Sequence, residues 1–392
     1  MYMNLITDST MRTHNDYCLI LAGGVGKRLW PYSRKEKPKQ FQDFIGTGRS
    51  LLQQTYERFA KFIPKENIYI STFEDYVPLV REQLPEVDSN NIFSEPVQLS
   101  TAPAVAWASY FIALRNPHAN VVVTPADQHI VNEEIFASQV GEGLDFVAEH
   151  SDFLTLGVKP TIPHTGYGYI QKSEVSCCEN FVRVKSFAEK PSEDFAKMFV
   201  ESGEFIWNTG LFLWNVQTMK RKWAELIPAV AQHIDKFGIS LSHEKEMELL
   251  NEFYPTNLHL SLDLLILERS TNVYVRECQF GWADVGGGAD LYAVKHKDAD
   301  GNTMVGSQRI IFSASKDNLI NLPKDTVALV DGLEGYLVTL NDNVLVICRD
   351  PELVRRFSSE ARMQFGEAFA CRHFSGAHEG RGHSHFSALV TL

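Results

Sequence analysis

Strand-like apolar runs alternate with longer helical segments through residues 17–149, and this alternation limits the fold more than any other feature. The runs 17–22, 67–72 and 121–124 have strand character. Segments 50–62, 76–83, 102–114 and 133–149 have helical character, the first with Leu51, Leu52, Thr55, Phe59 and Phe62 on one face. Such a βαβα rhythm predicts a mainly parallel α/β sheet with helices on both faces. Ligands of these sheets bind at the carboxyl ends of the strands. Two unusual segments fall there: the loop that follows 17–22, and Thr124-Pro-Ala-Asp127.

The texture then changes twice. Residues 165–190 read as β-ribbon, with runs 167–171 and 181–187, and helices are expected over 192–201, 216–236 and 243–253. From about Gly301, short strands at 309–312, 327–330, 336–339 and 344–348 are separated by turn residues such as Asp331-Gly332. This predicts a small all-β C-terminal domain with a closing helix over 351–365. The expected layout is a disordered leader (1–16), a main α/β domain (17–295), a β-rich domain with its helix (296–369) and a flexible tail (370–392). The leader carries Asp8, Arg12, His14 and Asp16 and lacks the apolar stretch of a signal peptide. The tail holds His373, His378, His383 and His385 without an acidic or cysteine partner at ligand spacing.

The loop of residues 21–41 sets Gly23, Gly24 and Gly26 among six basic residues: Lys27, Arg28, Arg34, Lys35, Lys37 and Lys39. Glycine lets backbone N–H groups approach an anion closely, and the cations neutralise it. Two familiar glycine loops do not fit. A P-loop needs Ser or Thr after its Gly-Lys, and Arg28 follows Gly26-Lys27. A dinucleotide fingerprint needs a third glycine where Leu29 stands. A polyanion such as a triphosphate remains, with a solvated surface turn as the plain alternative. The chain as a whole has a net charge of −12, so these cations form a local site in an acidic protein, and nucleic-acid binding is not expected.

Asp127 ends a strand opposite this loop, where Mg²⁺ would sit, unless it only caps the next segment. Asp284 lies among glycines in Gly281-Trp-Ala-Asp-Val-Gly-Gly-Gly288, where a ligand could approach closely. Two carboxylates, Mg²⁺ and a basic loop suffice for phosphoryl transfer, which is mostly positioning and charge neutralisation. Thr165–Ile170, Phe187-Ala-Glu-Lys-Pro191 and Trp207-Asn-Thr-Gly210 suit a polar, phosphate-bearing small molecule, or are turns and exposed ion pairs. Six cysteines without a CxxC pair suit a reduced, cytoplasmic protein. No run of ~18 apolar residues suggests a membrane span.

In this order the motifs resemble the mannose-1-phosphate guanylyltransferases of the sugar-nucleotidyltransferase family. The matching pieces are the 21–41 loop with its Pro38-Lys-Gln-Phe41 ending, Glu95-Pro96, Thr101-Ala-Pro-Ala104, Pro125-Ala-Asp127, the three segments just named, Ser261-Leu-Asp263 and Trp282-Ala-Asp-Val-Gly286. The resemblance implies a GT-A-like Rossmann-type sheet over 17–295 followed by a short β-helix or β-roll. It implies that Leu21, Ala22, Gly23 and Gly24 touch nucleoside and α-phosphate, with Gly26 and Lys27 in the same nucleotide-binding loop. Arg28 would contact the leaving phosphates, Lys39 the triphosphate near the α-phosphate, and Pro103 the guanine. Gly166, Glu189, Asn208 and Asp263 would hold the mannose hydroxyls, Lys190 the sugar phosphate, and Asp127 and Asp284 the Mg²⁺. The implied substrates are GTP and mannose 1-phosphate, with a homodimer left open as the assembly. The chain departs from the family pattern at Leu99-Ser100, Gln128, Glu268-Arg269 and Gly287-Gly288. A related nucleotidyltransferase with another sugar or base, or a weakly active nucleotide-sugar-binding regulatory subunit, are the alternatives.

Overall fold

A computed structural model of the protein describes residues 12–178, 180–226, 228, 242–256, 259–350, 353–365 and 387–390. Contacts divide the chain into two units. The first holds residues up to Gly23, Thr55–Ala126 and Ile130–Trp282; the second holds Gly24–Gln54, Asp127–His129 and Ala283 onward. The linear layout, with one boundary near residue 295, differs from this: the basic loop groups with the C-terminal strands. The reason is apolar. Leu29, Trp30, Phe44 and Leu51 share one buried cluster with Val285, Leu291, Val305, Leu319, Val346 and Phe357.

The strands of the first half are β1 (Asp16–Leu21), β2 (Ile68–Phe73), β3 (Ile92–Glu95), β4 (Asn120–Pro125), β5 (Gln128–Ile130), β6 (Phe153–Val158), β7 (Gly168–Cys178), β8 (Phe181–Glu189), β9 (Phe205–Asn215), β10 (Val273–Cys278) and β11 (Trp282–Asp284). Nine of them form the sheet of the first unit, in the order β3-β2-β1-β4-β9-β6-β10-β8-β7. The pairings make only β8 and β9 run against the other seven. The sheet is therefore mixed, with most strands running one way. β1 and β4 are buried on both faces, which explains their unbroken apolar runs.

Alternating strand residues face different helices. Leu19, Val121, Val123, Phe212 and Trp214 join a core with the helix Thr101–Arg115, nearly all of whose residues are buried, and with Met219 and Trp223 of Val216–Leu226. On the other face, a Cβ on Gly143 of Glu133–Glu149 would lie 3.0 Å from both Leu154 and Leu213, so glycine allows that helix to sit close to the sheet. Asn132 caps this helix by accepting from the Ile135 N–H, and Glu133 and Glu134 suit its positive end.

β9 was not legible as a strand. Asn208, Thr209, Gly210 and Asn215 interrupt its apolar pattern, yet it lies centrally between β4 and β6. Its polar groups are satisfied by neighbours: Thr209 Oγ1 donates to the Leu156 carbonyl (2.6 Å) and Asn215 Nδ2 to Asn120 Oδ1 (3.0 Å). The leader also needs correction from residue 12 onward. Arg12 N–H donates to the Phe62 carbonyl (2.6 Å), and its guanidinium pairs with the buried carboxylate of Asp16 (2.9 Å) in β1. Residues 1–11 lie outside the described residues.

In the second unit the strands are β12 (Thr303–Gly306), β13 (Ile310–Ser313), β14 (Leu319–Leu322), β15 (Ala328–Asp331), β16 (Leu337–Asn341), β17 (Val344–Cys348) and β18 (Ser387–Val390). Successive strands alternate between two sheets: β12, β14 and β16 pair in parallel in one, β13 and β15 in the other. β17 turns back antiparallel on β16, and β18 adds a parallel edge. That edge corrects the flexible tail at its end, because the backbone groups of 387–390 complete the ladder of β17. The four tail histidines lie outside the described residues. The closing helix runs over Leu353–Phe365. Among the described residues no helix is long and apolar enough to cross a membrane.

Candidate active site

β1 and β4 are parallel neighbours with Leu21 opposite Pro125, so the chain leaves both strands side by side at their carboxyl ends. Ala22 N–H then donates to the Ser71 carbonyl (2.8 Å), Thr72 Oγ1 to the Ala22 carbonyl (3.0 Å), and Gln98 Nε2 to the Gly23 carbonyl (3.3 Å). Beside Gly23 sits Glu95, buried, holding hydrogen bonds from Ser71 Oγ (2.9 Å) and Tyr254 Oη (2.5 Å). Burial raises its pKa above the ordinary carboxylate range against those two donors. Pro103 lies in the first turn of Thr101–Arg115, whose start is tied to the 260–262 segment by Ala102 N–H to the Leu260 carbonyl and Leu262 N–H to Thr101 Oγ1.

In the second unit, Lys39 lies at the centre of a charged cluster. Its Nζ is 2.7 Å from Asp127 Oδ2, 3.0 Å from the Val285 carbonyl and 3.8 Å from Asp284 Oδ1. Arg28 Nη2 is 3.8 Å from Asp284 Oδ2. Burial works against the Lys39 ammonium, but the facing carboxylates of Asp127 and Asp284 outweigh it and raise its pKa. Burial, chiefly, and the charges of Asp127 and Asp290 raise the pKa of Asp284, against Lys39 and Arg28.

Two glycines make this packing feasible. Gly26 has φ +67°, and a Cβ there would come within 2.7 Å of the Lys39 side chain and 2.8 Å of Ser33 Oγ. A Cβ on Gly286 would lie 2.6 Å from Arg28 Nη2, 2.7 Å from Asp284 Oδ2 and 3.0 Å from Asp290 Oδ2. Asp290 is thus a third carboxylate of the cluster that motif reading missed. The one sequence signal was an acidic residue in the first turn of the helix Gly288–Val294, just after the glycines.

The six basic residues of the loop do different work. Lys27, Lys35 and Lys37 are exposed, Arg28 is half-buried, and Lys39 is tied down as described. Arg34 is buried: it donates to the Pro31 carbonyl (2.7 Å) and the Asn341 carbonyl (3.1 Å) and pairs with Asp342 (2.8 Å). It anchors the loop to the β16–β17 turn. Replacing Arg34 with leucine is expected to cost about 2–3 kcal/mol, because carbonyls lose a charged donor; thermal denaturation measures it.

Three of the four hydroxyl-binding candidates of the first unit converge: Glu189, Asn208 and Asp263. Asn208 Nδ2 donates to Asp263 Oδ1 (2.8 Å), and Asn208 Oδ1 accepts from the Gly210 N–H (3.0 Å). Gly168 pairs with Glu189 across β7 and β8, and a Cβ on Gly168 would lie 2.9 Å from Glu189 Oε2 and 3.4 Å from the Asn208 side chain. Burial first, then the charge of Glu189, push Asp263 up to about 6. Asp263 opens a short π-helix, Asp263–Leu267, a geometry frequent at functional sites. Lys190 pairs with its neighbour Glu189 (2.6 Å) in an exposed position. Gly166 N–H donates to His164 Nδ1 (3.0 Å), and His164 stacks on Tyr167 (3.8 Å), which meets Trp207 and Trp282 edge-on (5.1 Å each).

Among the described residues no group of three or more His, Cys, Asp or Glu side chains is arranged to hold a metal ion. A hard cation that keeps its waters and takes one or two carboxylates plus substrate phosphates needs no such group. Asp127 and Asp284 are oxygen donors of that kind. With Asp290 they set three carboxylates against Lys39 and Arg28, an excess of negative charge that a further cation would neutralise.

A largely one-way sheet whose first strand ends in a basic glycine loop, with carboxylates gathered round the loop lysine, defines an α/β enzyme that handles nucleotides. The chain belongs to the nucleotidyl transferase family, whose model matches residues 17–301, and it is a nucleotidyltransferase. It is similar to a mannose-1-phosphate guanylyltransferase of Escherichia coli, 30% identical over 340 residues, 85% of this chain and 72% of that protein. One from Salmonella muenchen is 32% identical over 338 residues, 85% of this chain and 70% of that protein. Among solved structures, a protein of Thermus thermophilus described as a mannose-1-phosphate geranyltransferase is 27% identical with a TM-score of 0.79, covering 89% of this chain and 99% of that one.

Proposed function

We propose that the protein transfers GMP from GTP to mannose 1-phosphate, giving GDP-mannose and pyrophosphate. The observation that carries this reading is the Lys39–Asp127–Asp284–Arg28 cluster on the glycine loop, and the names of the curated relatives support the choice of substrates. In this reading Leu21, Ala22, Gly23 and Gly24 admit the nucleoside and α-phosphate, and Gly26 and Lys27 continue that loop. Pro103 borders the guanine. Gly166, Glu189, Asn208 and Asp263 take the mannose hydroxyls and Lys190 the sugar phosphate. The alternation of β12–β16 supports reading the C-terminal strands as a short β-helix or β-roll that follows a GT-A-like domain in the chain. A cytoplasmic location and a homodimer belong to the same proposal.

Asp127 and Asp284 are the residues that would hold Mg²⁺, which supplies positive charge to the triphosphate. Arg28 draws charge onto the departing pyrophosphate, and Lys39 neutralises charge near the α-phosphorus. An oxygen of the sugar phosphate attacks the α-phosphorus in line with the leaving group. No side chain has to remove a proton, because a phosphate monoester has its second pKa near ~6 and is already anionic at neutral pH. Incubating the protein with GTP, mannose 1-phosphate and Mg²⁺ should release pyrophosphate. Absence of release from folded, GTP-binding protein overturns the proposal. Faster turnover of another nucleotide or sugar 1-phosphate in a panel would reassign the substrate.

Asp263 gives this reading a pH signature. With its pKa held up to about 6, it retains a proton at pH 5 and is a carboxylate acceptor for sugar hydroxyls at pH 7. KM for the sugar phosphate is expected to rise as pH falls through about 6, and Asp263→Asn should have a flatter profile. Stability runs the opposite way: the raised native pKa gives a contribution present at pH below the unfolded value and lost as pH rises through about 6. Steady-state kinetics and denaturant titrations across pH 4–8 check both slopes.

A further inference from the structure

A cavity lies at the end of the main sheet opposite the carboxyl ends of β1 and β4. It has a volume of about 360 Å³ and is lined at the amino ends of β6 and β10 by Ser151, Thr271 and Asn272, and by Arg221, Lys222 and Arg269. Lys222 pairs there with the one carboxylate, Glu225 (3.1 Å), which leaves Arg221 and Arg269 as surplus cations in a chain of net charge −12. The walls are held by the fold. Arg183, just outside, donates through Nε (3.1 Å) and Nη2 (2.6 Å) to the Thr271 carbonyl. Asn272 Nδ2 donates to the Ser151 carbonyl (2.7 Å), and Phe153 N–H to the Asn272 carbonyl (3.0 Å). Lys222 Nζ donates to the Arg269 carbonyl (3.2 Å) and pins that backbone. The Arg269 guanidinium makes no hydrogen bond or ion pair among the described residues, and that of Arg221 has only Thr218 Oγ1 at 3.3 Å.

Guanidinium groups left with spare donors beside hydroxyls match a tetrahedral dianion, which takes several short charge-assisted hydrogen bonds. We propose that this cavity is a second, regulatory site for a soluble phosphate monoester, at the sheet end opposite the carboxyl ends of β1 and β4. Its route to the reaction is short. Arg269 and Ser270 come just after Glu268, the residue that closes the π-helix Asp263–Leu267, and Ser270 Oγ donates to the Ile266 carbonyl (2.6 Å) within it. An anion that draws Arg269 and Ser270 toward the cavity pulls on the element whose first residue is Asp263, bonded to Asn208. This coupling, unlike the binding itself, rests on the reading of Asp263 as a sugar ligand.

The test uses inorganic phosphate as probe and the full chain carrying Arg28→Gln, which weakens the glycine loop's own hold on phosphate. Calorimetry is expected to find phosphate binding at least tenfold weaker once Arg221→Gln and Arg269→Gln are added. Equal affinity overturns the site. If the triple variant fails to fold, Arg269→Glu, one exposed substitution, must show the same loss. The coupling is read in otherwise unaltered protein at saturating GTP. Phosphate should shift KM for the sugar phosphate severalfold, and Arg269→Glu should abolish the shift with its own KM otherwise kept. A KM indifferent to phosphate overturns the coupling. Binding is measured without substrates, so failure of mannose 1-phosphate as substrate leaves that result intact.

Discussion

Replacing Lys39 with methionine is expected to remove both turnover and much of the stability of the second unit. The side chain is only 10% exposed and its ammonium faces Asp127 at 2.7 Å and Asp284 at 3.8 Å. Methionine keeps the bulk that packs against Gly26 and deletes the charge. The carboxylates of Asp127, Asp284 and Asp290 then repel one another with Arg28 as the remaining cation of the cluster. Removing one partner of a buried ion pair costs about 3–5 kcal/mol because the other charge stays buried without compensation. Removing one preorganised electrostatic group from a transition state costs about 10²–10³ in kcat. Thermal unfolding followed by single-turnover kinetics, at a temperature where the variant is folded, separates the two losses. A variant with near-normal turnover would refute the assigned role of Lys39.

Replacing Asp127 with asparagine is expected to cost turnover without that stability loss. Lys39 keeps the Val285 carbonyl and Asp284 as partners. Asp284 loses the neighbouring charge that helps to raise its pKa. These changes offset each other, so stability should move by less than about 1 kcal/mol. Turnover should fall about 10²–10³-fold, since one of two carboxylate donors for Mg²⁺ is gone and the other must hold it alone. The measurement is kcat against Mg²⁺ concentration. A rightward shift in the Mg²⁺ requirement is expected with the loss of rate, and a normal rate at ordinary Mg²⁺ would remove Asp127 from the metal site. The contrast with Lys39→Met is informative, because the two side chains touch and carry opposite charges.

Much of this was legible because the signals were local. The apolar run of β1, the glycines after it and the capped helix Glu133–Glu149 all follow from patterns that span fewer than about 20 residues. Other features had no local signal. β9 reads as broken by Asn208, Thr209 and Gly210, and becomes a strand only because β4 and β6 supply its hydrogen bonds. Arg34 looks like another loop cation, and only the β16–β17 turn, 307 and 308 positions away, makes it an internal anchor. Asp290 sits in an ordinary helix turn until Gly286 lets it approach Asp284.

The sequence by itself determined the alternating α/β order, the family, and the residue types able to grip a polyphosphate. These depend on side-chain period and on chemistry carried within short motifs. The tertiary structure alone decided that the loop after Gly23 belongs with the C-terminal strands, that Lys39 is held between Asp127 and Asp284, and that Asp263 meets Asn208 and Glu189. The physical reason is that burial and charge act through space. Lys39 and the Val285 carbonyl are 246 positions apart in the chain and 3.0 Å apart in the fold, and a pKa or a packing energy depends on the second distance.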